Sequence, residues 1–135
     1  MLEHGRRPRN RHAIEGAHTA EQHNRMCGDR IVVYVRVEDE VVRDVSFEGS
    51  ACAIAIASAS LMTEAVTDQT LTRVNTIAEG FRRMLLQPGD GVFDGMGQLA
   101  ALGGVRQFPL RVKCACLPWQ ALHAAVDHAR AASRA

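Results

Sequence analysis

The alanine-rich stretch over residues 51–66 places the strongest constraint on how this chain can fold. It contains six alanines, and drawn as a helix it is apolar on every side. Its strict alternation up to Ser60 also fits a strand, but alanine has the highest helix propensity of all residues. A helix that is apolar all round is typically a buried one. We therefore predict a buried helix over this stretch.

Two stretches rich in β-branched residues come before this helix. Residues 31–37 place Ile or Val at every second position, and residues 41–47 largely repeat the alternation, which is typical of half-buried strands. The acidic segment 38–40 between them predicts a short hairpin connection, although it lacks the glycine common in such turns. Gly49 is predicted to end the second strand.

Helices are predicted to dominate the second half of the chain. Apolar residues at helical spacing indicate two of them, marked by Leu71, Val74, Ala78, Phe81 and Leu85 and by Trp119, Leu122, Val126 and Ala129. The first should end at the turn residues 88–91, and Pro118 is predicted to be the first residue of the second. A shorter helix is expected over residues 97–102, followed by an extended or irregular segment over residues 105–112.

The order of these elements, with strands early and helices late, predicts an α+β fold. We expect a small antiparallel sheet of about three strands with helices packed on one face. Residues 1–20 are polar and contain Gly, Pro and Arg, so we expect a partly flexible segment, with a helix end followed by a loop or an edge strand. A length of 135 residues suits one domain over 1–135 that buries a core without disulfides.

Charge and hydropathy argue against several classes of protein. A net charge of +1 lacks the basic excess of general nucleic-acid binders. The longest uncharged apolar stretch, residues 51–63, is too short to span a bilayer, and residues 1–15 hold four arginines and no apolar run, unlike a signal peptide. We therefore expect a cytoplasmic protein without nucleic-acid or membrane partners, whose thiols stay reduced and available for metal or sulfur chemistry.

The chain has four cysteines, Cys27, Cys52, Cys114 and Cys116, and none of them forms a C-x-x-C pair. The zinc-finger and thioredoxin signatures are therefore absent. Buried free cysteines often act simply as small apolar residues. On spacing alone, packing and metal binding both remain open for these residues.

Local context distinguishes three of the cysteines from the fourth. Cys27 lies two residues before Asp29, whose carboxylate can face the same point as the thiolate. Cys52 is near the start of the predicted buried helix, and Cys114 lies a few residues before the C-terminal one; the positive potential at a helix N-terminus favours thiolate. In an extended segment Cys116 would point away from Cys114, so it is interpreted as a packed thiol.

Longer motifs around these cysteines resemble a known family. They read Asn24-x-x-Cys27-Gly28-Asp29, Phe47-Glu48-Gly49-x-x-Cys52-Ala53-Ile54 and Arg111-x-x-Cys114-Ala115-x-Leu117-x-Trp119, with His4 and Pro8-Arg9-Asn10 near the N-terminus. The pattern is similar to the SufU/IscU (NifU N-terminal) family of iron–sulfur cluster assembly proteins and covers nearly the whole chain. The long gap between Cys52 and Cys114, and Lys113 in place of the histidine of the IscU branch, favour the SufU type.

The resemblance implies a metal site formed by Cys27, Asp29, Cys52 and Cys114, with Arg111 as a nearby compensating cation or hydrogen-bond donor. Zinc is the implied ion, or alternatively iron in a [2Fe–2S] cluster on the same ligands. Cys27 is expected to accept persulfide sulfur from a SufS-like pyridoxal-phosphate cysteine desulfurase, and apo iron–sulfur proteins would be the downstream partners. Such a chain is a sulfur-transfer or scaffold protein rather than a stand-alone enzyme.

Some features depart from the family pattern or favour other functions. Arg25 stands where the family usually has proline, and residues 108–112 lack the Leu-Pro-Pro-Val-Lys segment of the IscU branch, so no Hsp70-type chaperone partner is predicted. A zinc-stabilised structural adaptor without sulfur chemistry is the alternative from a different class. A cysteine hydrolase is a weaker one, because no local motif ties His18, His23 or His123 to a cysteine.

Overall fold

The computed structural model describes residues 12–24, 28–86 and 109–134. Three strands come first, β1 (His18–Asn24), β2 (Asp29–Glu38) and β3 (Val41–Ser50), and three helices follow, α1 (Ala53–Val66), α2 (Leu71–Leu86) and α3 (Pro109–Arg134). The strands form one antiparallel sheet in the order β1-β2-β3. The predicted order of strands and helices is confirmed. The predicted turn at 88–91 and helix at 97–102 lie outside the described residues.

The connection between β2 and β3 is the short hairpin that the acidic segment predicts. Glu38 pairs with Val41, and the two residues between them, Asp39 and Glu40, have φ of 52° and 62°. A two-residue hairpin turn of type I′ needs positive φ at both central positions because this twist matches that of the strands. The turn therefore forms without glycine, at sites where two acidic side chains accept the left-handed backbone.

The helices cover one face of the sheet. Ile31, Val33 and Val35 of β2 are fully buried, and so is Phe47 of β3, while Arg30 and Arg36 on the alternate positions are exposed. Helix α3 packs against β1 and β2, and α1 packs against α3 and β3. Alternation of this kind is the signature of a sheet with one face towards a core. The predicted α+β architecture is confirmed.

Helix α1 lies in the core, as its alanine-rich sequence predicts. All its residues from Ala55 to Thr63 are buried, and its hydroxyl groups find partners. Ser58 Oγ donates to the carbonyl of Ala115 at 2.5 Å and accepts from Trp119 Nε1 at 3.2 Å. These bonds satisfy buried polar atoms and tie α1 to α3.

The prediction that Gly49 ends the second strand is wrong, since β3 continues to Ser50. Gly49 pairs with Ile31 in the sheet and has a φ of 141°. A Cβ at this position would lie 2.0 Å from the carbonyl oxygen of Arg30. Glycine is thus required here for the two strands to pair closely, rather than for a turn.

The C-terminal helix begins nine residues earlier than predicted. Helix α3 starts at Pro109, and Pro118 lies inside it, so the prediction of an extended segment through residue 112 is wrong over 109–112. Pro118 cannot donate the helical hydrogen bond to the carbonyl of Cys114, which costs about 3 kcal/mol. Burial along the helix offsets that cost, through Val112, Ala115, Leu117, Trp119, Ala121, Leu122, Ala125 and Ala129.

The remaining elements follow their predicted patterns. Helix α2 buries Leu71, Val74 and Leu85, and its Phe81 ring stacks on Trp119 of α3 with the ring centroids 5.0 Å apart. The loop or edge strand expected within residues 1–20 is found only in part, since β1 begins at His18 and continues to Asn24. Within the described ranges, no helix has both the length and the apolar character needed to cross a membrane.

Candidate metal centre

Three ligand-type side chains from three different elements meet at one end of the sheet. Asp29 is the first residue of β2, Cys52 is the N-cap of α1, and Cys114 lies in α3. One carboxylate oxygen and the two sulfur atoms all lie within 4.8 Å of one another. Asp29 and Cys114 are buried and Cys52 is half-buried. The structure therefore gathers three of the four predicted metal ligands.

The register of the sheet aims Asp29 at the helices. Asp29 pairs with Asn24 across the β1–β2 ladder, two positions before the buried Ile31, so it shares the helix-covered face. Its exposed fraction is only 2%, and a buried carboxylate needs hydrogen-bond donors. The backbone N–H of Cys52 supplies one, at 2.8 Å from Asp29 Oδ1.

The two oxygens of Asp29 face different groups. Oδ1 accepts the backbone N–H of Cys52, the N-cap N–H that a capping-box side chain commonly satisfies. Oδ2 lies 3.5 Å from Cys52 Sγ, within reach of the thiol proton. One oxygen therefore fixes the start of α1, while the other points towards the sulfur atoms and is available to a metal.

Cys52 gains its position from the start of α1. It has an extended backbone, with φ of −67° and ψ of 164°, and its carbonyl accepts the first helical bond from Ile56 N at 3.0 Å. Cys52 therefore lies at the positive end of the helix dipole. The predicted placement of this cysteine at a helix start is confirmed.

Cys114 reaches the site from inside a helix, so the prediction that it precedes the C-terminal helix is wrong. It is the sixth residue of α3 and is fully buried. Its Sγ lies 3.7 Å from Nδ2 of Asn24, the last residue of β1. Asn24 was not among the predicted site residues, although it opens the first cysteine motif.

Arg111 supplies positive charge at the exposed side of the cluster. It lies one turn before Cys114 in α3, which places both side chains on one face of the helix. Its pKa is raised above the ordinary arginine value, first by attraction to the Cys52 sulfur and by a hydrogen bond to it, then by Cys114. The guanidinium therefore lies beside both sulfurs, where it can offset their charge when they are ionised.

The donor set and its dimensions suit a tetrahedral zinc ion. Zinc in proteins takes cysteine sulfur and carboxylate oxygen, and ideal bond lengths put a sulfur and an oxygen ligand roughly 3.5–3.7 Å apart. The observed 3.5 Å between Cys52 Sγ and Asp29 Oδ2 is close to this value. Cys27, the fourth predicted ligand and the predicted sulfur acceptor, lies outside the described residues, as does Arg25.

Cys116 is kept apart from this cluster. Residues two apart on a helix are about 200° apart around its axis, and Cys116 lines a cleft between α2 and α3 together with Arg82 and Trp119. Burial raises the pKa of its thiol, and the positive charge of Arg82 opposes this rise. The interpretation as a packed thiol agrees with this position, although it assumed an extended segment, which was wrong.

The described histidines do not join the cluster. His23 Nε2 lies 2.6 Å from a carboxylate oxygen of Glu21, and His123 Nε2 lies 3.4 Å from Asp127. Within the described part of the chain, the group of potential metal ligands contains cysteine and aspartate alone. The geometry thus gives no support to a cysteine–histidine hydrolase.

Comparisons with known proteins identify the family of this chain. Residues 1–115 match the family described as the NifU-like N-terminal domain. A relative from Bacillus subtilis (strain 168), the zinc-dependent sulfurtransferase SufU, is 35% identical over 127 residues, which cover 93% of this chain and 86% of the relative. The iron–sulfur cluster assembly scaffold protein IscU of Streptococcus pyogenes serotype M1 is 31% identical over 126 residues, covering 93% of this chain and 79% of the relative.

A solved structure shows the same fold. It comes from the thermophile Fervidobacterium islandicum AW-1 and is described as a scaffold protein for iron–sulfur cluster assembly in the SUF system. It superposes with a TM-score of 0.84 at 29% identity, covering 90% of each chain. The motifs, the fold and the family match agree, and the chain belongs to the NifU-like N-terminal domain family.

Proposed function

We propose that this protein accepts persulfide sulfur from a pyridoxal-phosphate cysteine desulfurase at a zinc site formed by Cys27, Asp29, Cys52 and Cys114. The observation that carries the proposal is the convergence of the Asp29, Cys52 and Cys114 ligand atoms within 4.8 Å. The relative named as a zinc-dependent sulfurtransferase, at 35% identity, supports zinc and sulfur transfer over other metal chemistry. Only Gly28 stands between Cys27 and Asp29 in the sequence, which supports Cys27 as the fourth ligand.

The sulfur-transfer step is a nucleophilic exchange. A thiolate of this protein attacks the outer sulfur of the desulfurase persulfide, a new S–S bond forms, and the desulfurase cysteine leaves as a thiolate. When bound, zinc would keep the thiols deprotonated and ordered for this step. The attacking sulfur must be accessible, and Cys114 is fully buried while Cys52 is half-buried. We therefore assign the attack to Cys27.

Arg111 is proposed to serve the same site. Three thiolates and one carboxylate around a divalent ion leave a formal charge of about −2, and the Arg111 guanidinium beside Cys52 and Cys114 compensates part of it. Its exposed position also lets it attract an anionic persulfide. The reaction belongs in the cytoplasm, where thiols remain reduced.

Alanine release by a SufS-like cysteine desulfurase tests the proposal. The rate is compared with and without the zinc-loaded protein, then with Cys27→Ala and Cys116→Ala. We expect a large stimulation that Cys27→Ala loses and Cys116→Ala keeps, because Cys116 lies in the α2–α3 cleft and not in the cluster. Full stimulation by Cys27→Ala would overturn the assignment of the acceptor. No stimulation by a zinc-loaded wild type would overturn sulfur acceptance itself.

Assembly of a [2Fe–2S] cluster on the same ligands is the second candidate. The carboxylate of Asp29 among the thiolates favours it, because a hard oxygen donor holds cluster iron less firmly than a thiolate would and so eases transfer to apo-proteins. The relative named as a cluster assembly scaffold points the same way. Anaerobic reconstitution with iron and sulfide should give visible absorption, and a colourless protein would exclude this candidate.

A zinc-stabilised adaptor makes the opposite prediction for the desulfurase. If the metal served the fold alone, chelation would unfold the protein while the desulfurase rate stayed the same whether or not the protein was present. Far-ultraviolet circular dichroism with and without chelator, run beside the alanine assay, separates the adaptor from the sulfur acceptor.

A further inference from the structure

The two described cysteines of the cluster have different hydrogen-bond partners. Cys52 Sγ lies 3.5 Å from a carboxylate oxygen of Asp29, an acceptor with no proton to give when ionised. Cys114 Sγ lies 3.7 Å from the Asn24 amide nitrogen, a donor that carries two N–H groups and never ionises. The amide of Asn24 therefore offers the Cys114 sulfur a hydrogen-bond donor, which the carboxylate of Asp29 cannot offer to Cys52.

The fold fixes the position of the Asn24 amide. Asn24 is the last residue of β1 and pairs with Asp29, so both side chains extend from the same face of the sheet towards α3. Helix α3 packs directly on β1, and His128 near its other end bonds through Nδ1 to the carbonyl of Thr19 at 2.8 Å. The strand and the helix are thus tied at two points, and the amide-to-sulfur contact is one of them.

The geometry points to Asn24 as a positioning residue whose N–H···S bond holds Cys114 as the anchoring thiolate of the metal site. The inference rests on the proposed metal site and deepens it. An N–H donor draws electron density from a thiolate and fixes its direction, as outer hydrogen-bond partners of metal ligands commonly do. Cys114, buried and held in this way, stays on the metal while a more accessible thiol reacts.

Cobalt substitution of the full-length protein tests this inference. Co²⁺ bound to thiolates shows a sulfur-to-metal charge-transfer band, whose energy falls as the sulfur becomes richer in electrons. Asn24→Leu keeps similar bulk and removes both donors, so we expect the band to move to longer wavelength. Competition with a zinc chelator should show an affinity loss of about tenfold to a hundredfold.

Gln22→Leu is the matched control. Gln22 lies two positions earlier on the same face of β1, is half-buried like Asn24, and pairs with Ile31 rather than with a ligand. It should keep the wild-type band and the wild-type affinity. If Asn24→Leu does not fold, as judged by circular dichroism, Asn24→Ala replaces it with the same expectation.

The outcomes distinguish this inference from the proposed function. If the wild type shows the charge-transfer band and the Asn24 variant shows it at the same wavelength, the inference is overturned, even if affinity falls. A residue with a purely structural role would weaken metal binding without changing the electron density on the sulfur. The absence of a thiolate band in wild type overturns the metal site and the inference with it. A band shift in the Asn24 variant and none in Gln22→Leu supports both.

Discussion

Cys114 and Cys116 stand two residues apart in one helix and lie in opposite chemical environments. The first faces the sheet, with Asn24 Nδ2 and the Arg111 guanidinium beside its sulfur. The second faces α2, in a cleft of about 680 Å³ that Phe81, Val112 and Trp119 help to line. Because the residue type and the helix are the same, the difference arises entirely from the surroundings. The Cys114 sulfur has a hydrogen-bond donor and a positive charge beside it, whereas burial in the cleft raises the pKa of the Cys116 thiol.

Removal of each sulfur in turn should give the largest contrast. Cys114→Ala is expected to reduce zinc binding from one ion per chain to none at micromolar concentrations, because a tetrahedral site loses a fully buried ligand. Since binding energy at such sites is also folding energy, the zinc-dependent rise in melting temperature should disappear. Cys116→Ala should keep both the ion and the thermal shift. Metal analysis and thermal unfolding with and without zinc provide the readout, and equal metal content in the two variants would contradict the assigned site.

A second comparison concerns two glycines near the metal side. Gly49→Ala should destabilise the protein by about 3 kcal/mol or more, because the new Cβ would lie 2.0 Å from the backbone carbonyl oxygen of Arg30. A paired strand cannot move away to relieve such a clash without losing its hydrogen bonds. Gly28→Ala should cost only about 1–2 kcal/mol, the penalty of a left-handed residue, since its φ is 69° and no atom of the described residues lies within 4 Å of the added Cβ. Urea unfolding of the two variants measures the difference, and a smaller loss for Gly49→Ala than for Gly28→Ala would be inconsistent with this sheet register.

The sequence pattern predicted those parts of the fold where local preference and tertiary packing agree. The alternation in residues 31–37, the acidic turn and the alanine-rich helix all have patterns that packing reinforces, and each was predicted correctly. Pro118 failed as a marker because a proline costs a helix only one hydrogen bond and a local clash, which the burial of Trp119 and Leu122 on neighbouring positions outweighs. A rule based on a single residue could not weigh that burial.

The residues of the site also fall into those that the sequence predicted and those that it missed. The cysteine motifs indicated Asp29, Cys52 and Cys114, because resemblance to a family carries information about convergence that spacing alone does not. Asn24 was missed because its partner is 90 residues away in sequence, and only the packing of α3 on β1 brings them together. The interaction of Arg111 with both sulfurs likewise depends on Arg111 being in α3, which begins at Pro109. The sequence pattern predicted a later helix start, at Pro118.

The double role of Asp29 gives the next prediction on the metal side. Asp29→Asn keeps an acceptor for the Cys52 N–H but loses the charge, so metal-free stability should change little while zinc affinity falls. Asp29→Ala also leaves that N–H without its acceptor and should lower metal-free stability by a further 1–3 kcal/mol or so. Chemical unfolding in chelator and zinc competition measure the two effects separately. Equal stability of the two metal-free variants would show that Asp29 Oδ1 does not support the start of α1.

The smallest expected effect is the pH dependence of the two thiols. Burial raises the pKa of Cys116 above the ordinary cysteine value, so the folded protein holds this proton more tightly than the unfolded chain does. Its contribution to stability is therefore complete below the unfolded pKa and is lost as pH rises through the folded one.

In zinc-loaded protein, alkylation of Cys116 should be slow at neutral pH and should accelerate beyond the pH at which a free cysteine ionises. Cys114 should stay protected over the same range until chelator removes the metal, because its sulfur is buried and metal-bound. Peptide mapping by mass spectrometry follows both sites in one sample. Faster alkylation of Cys116 than of unfolded protein at neutral pH would mean that the cleft stabilises a thiolate after all, and that Arg82, rather than the apolar lining, sets the chemistry on that side of the helix.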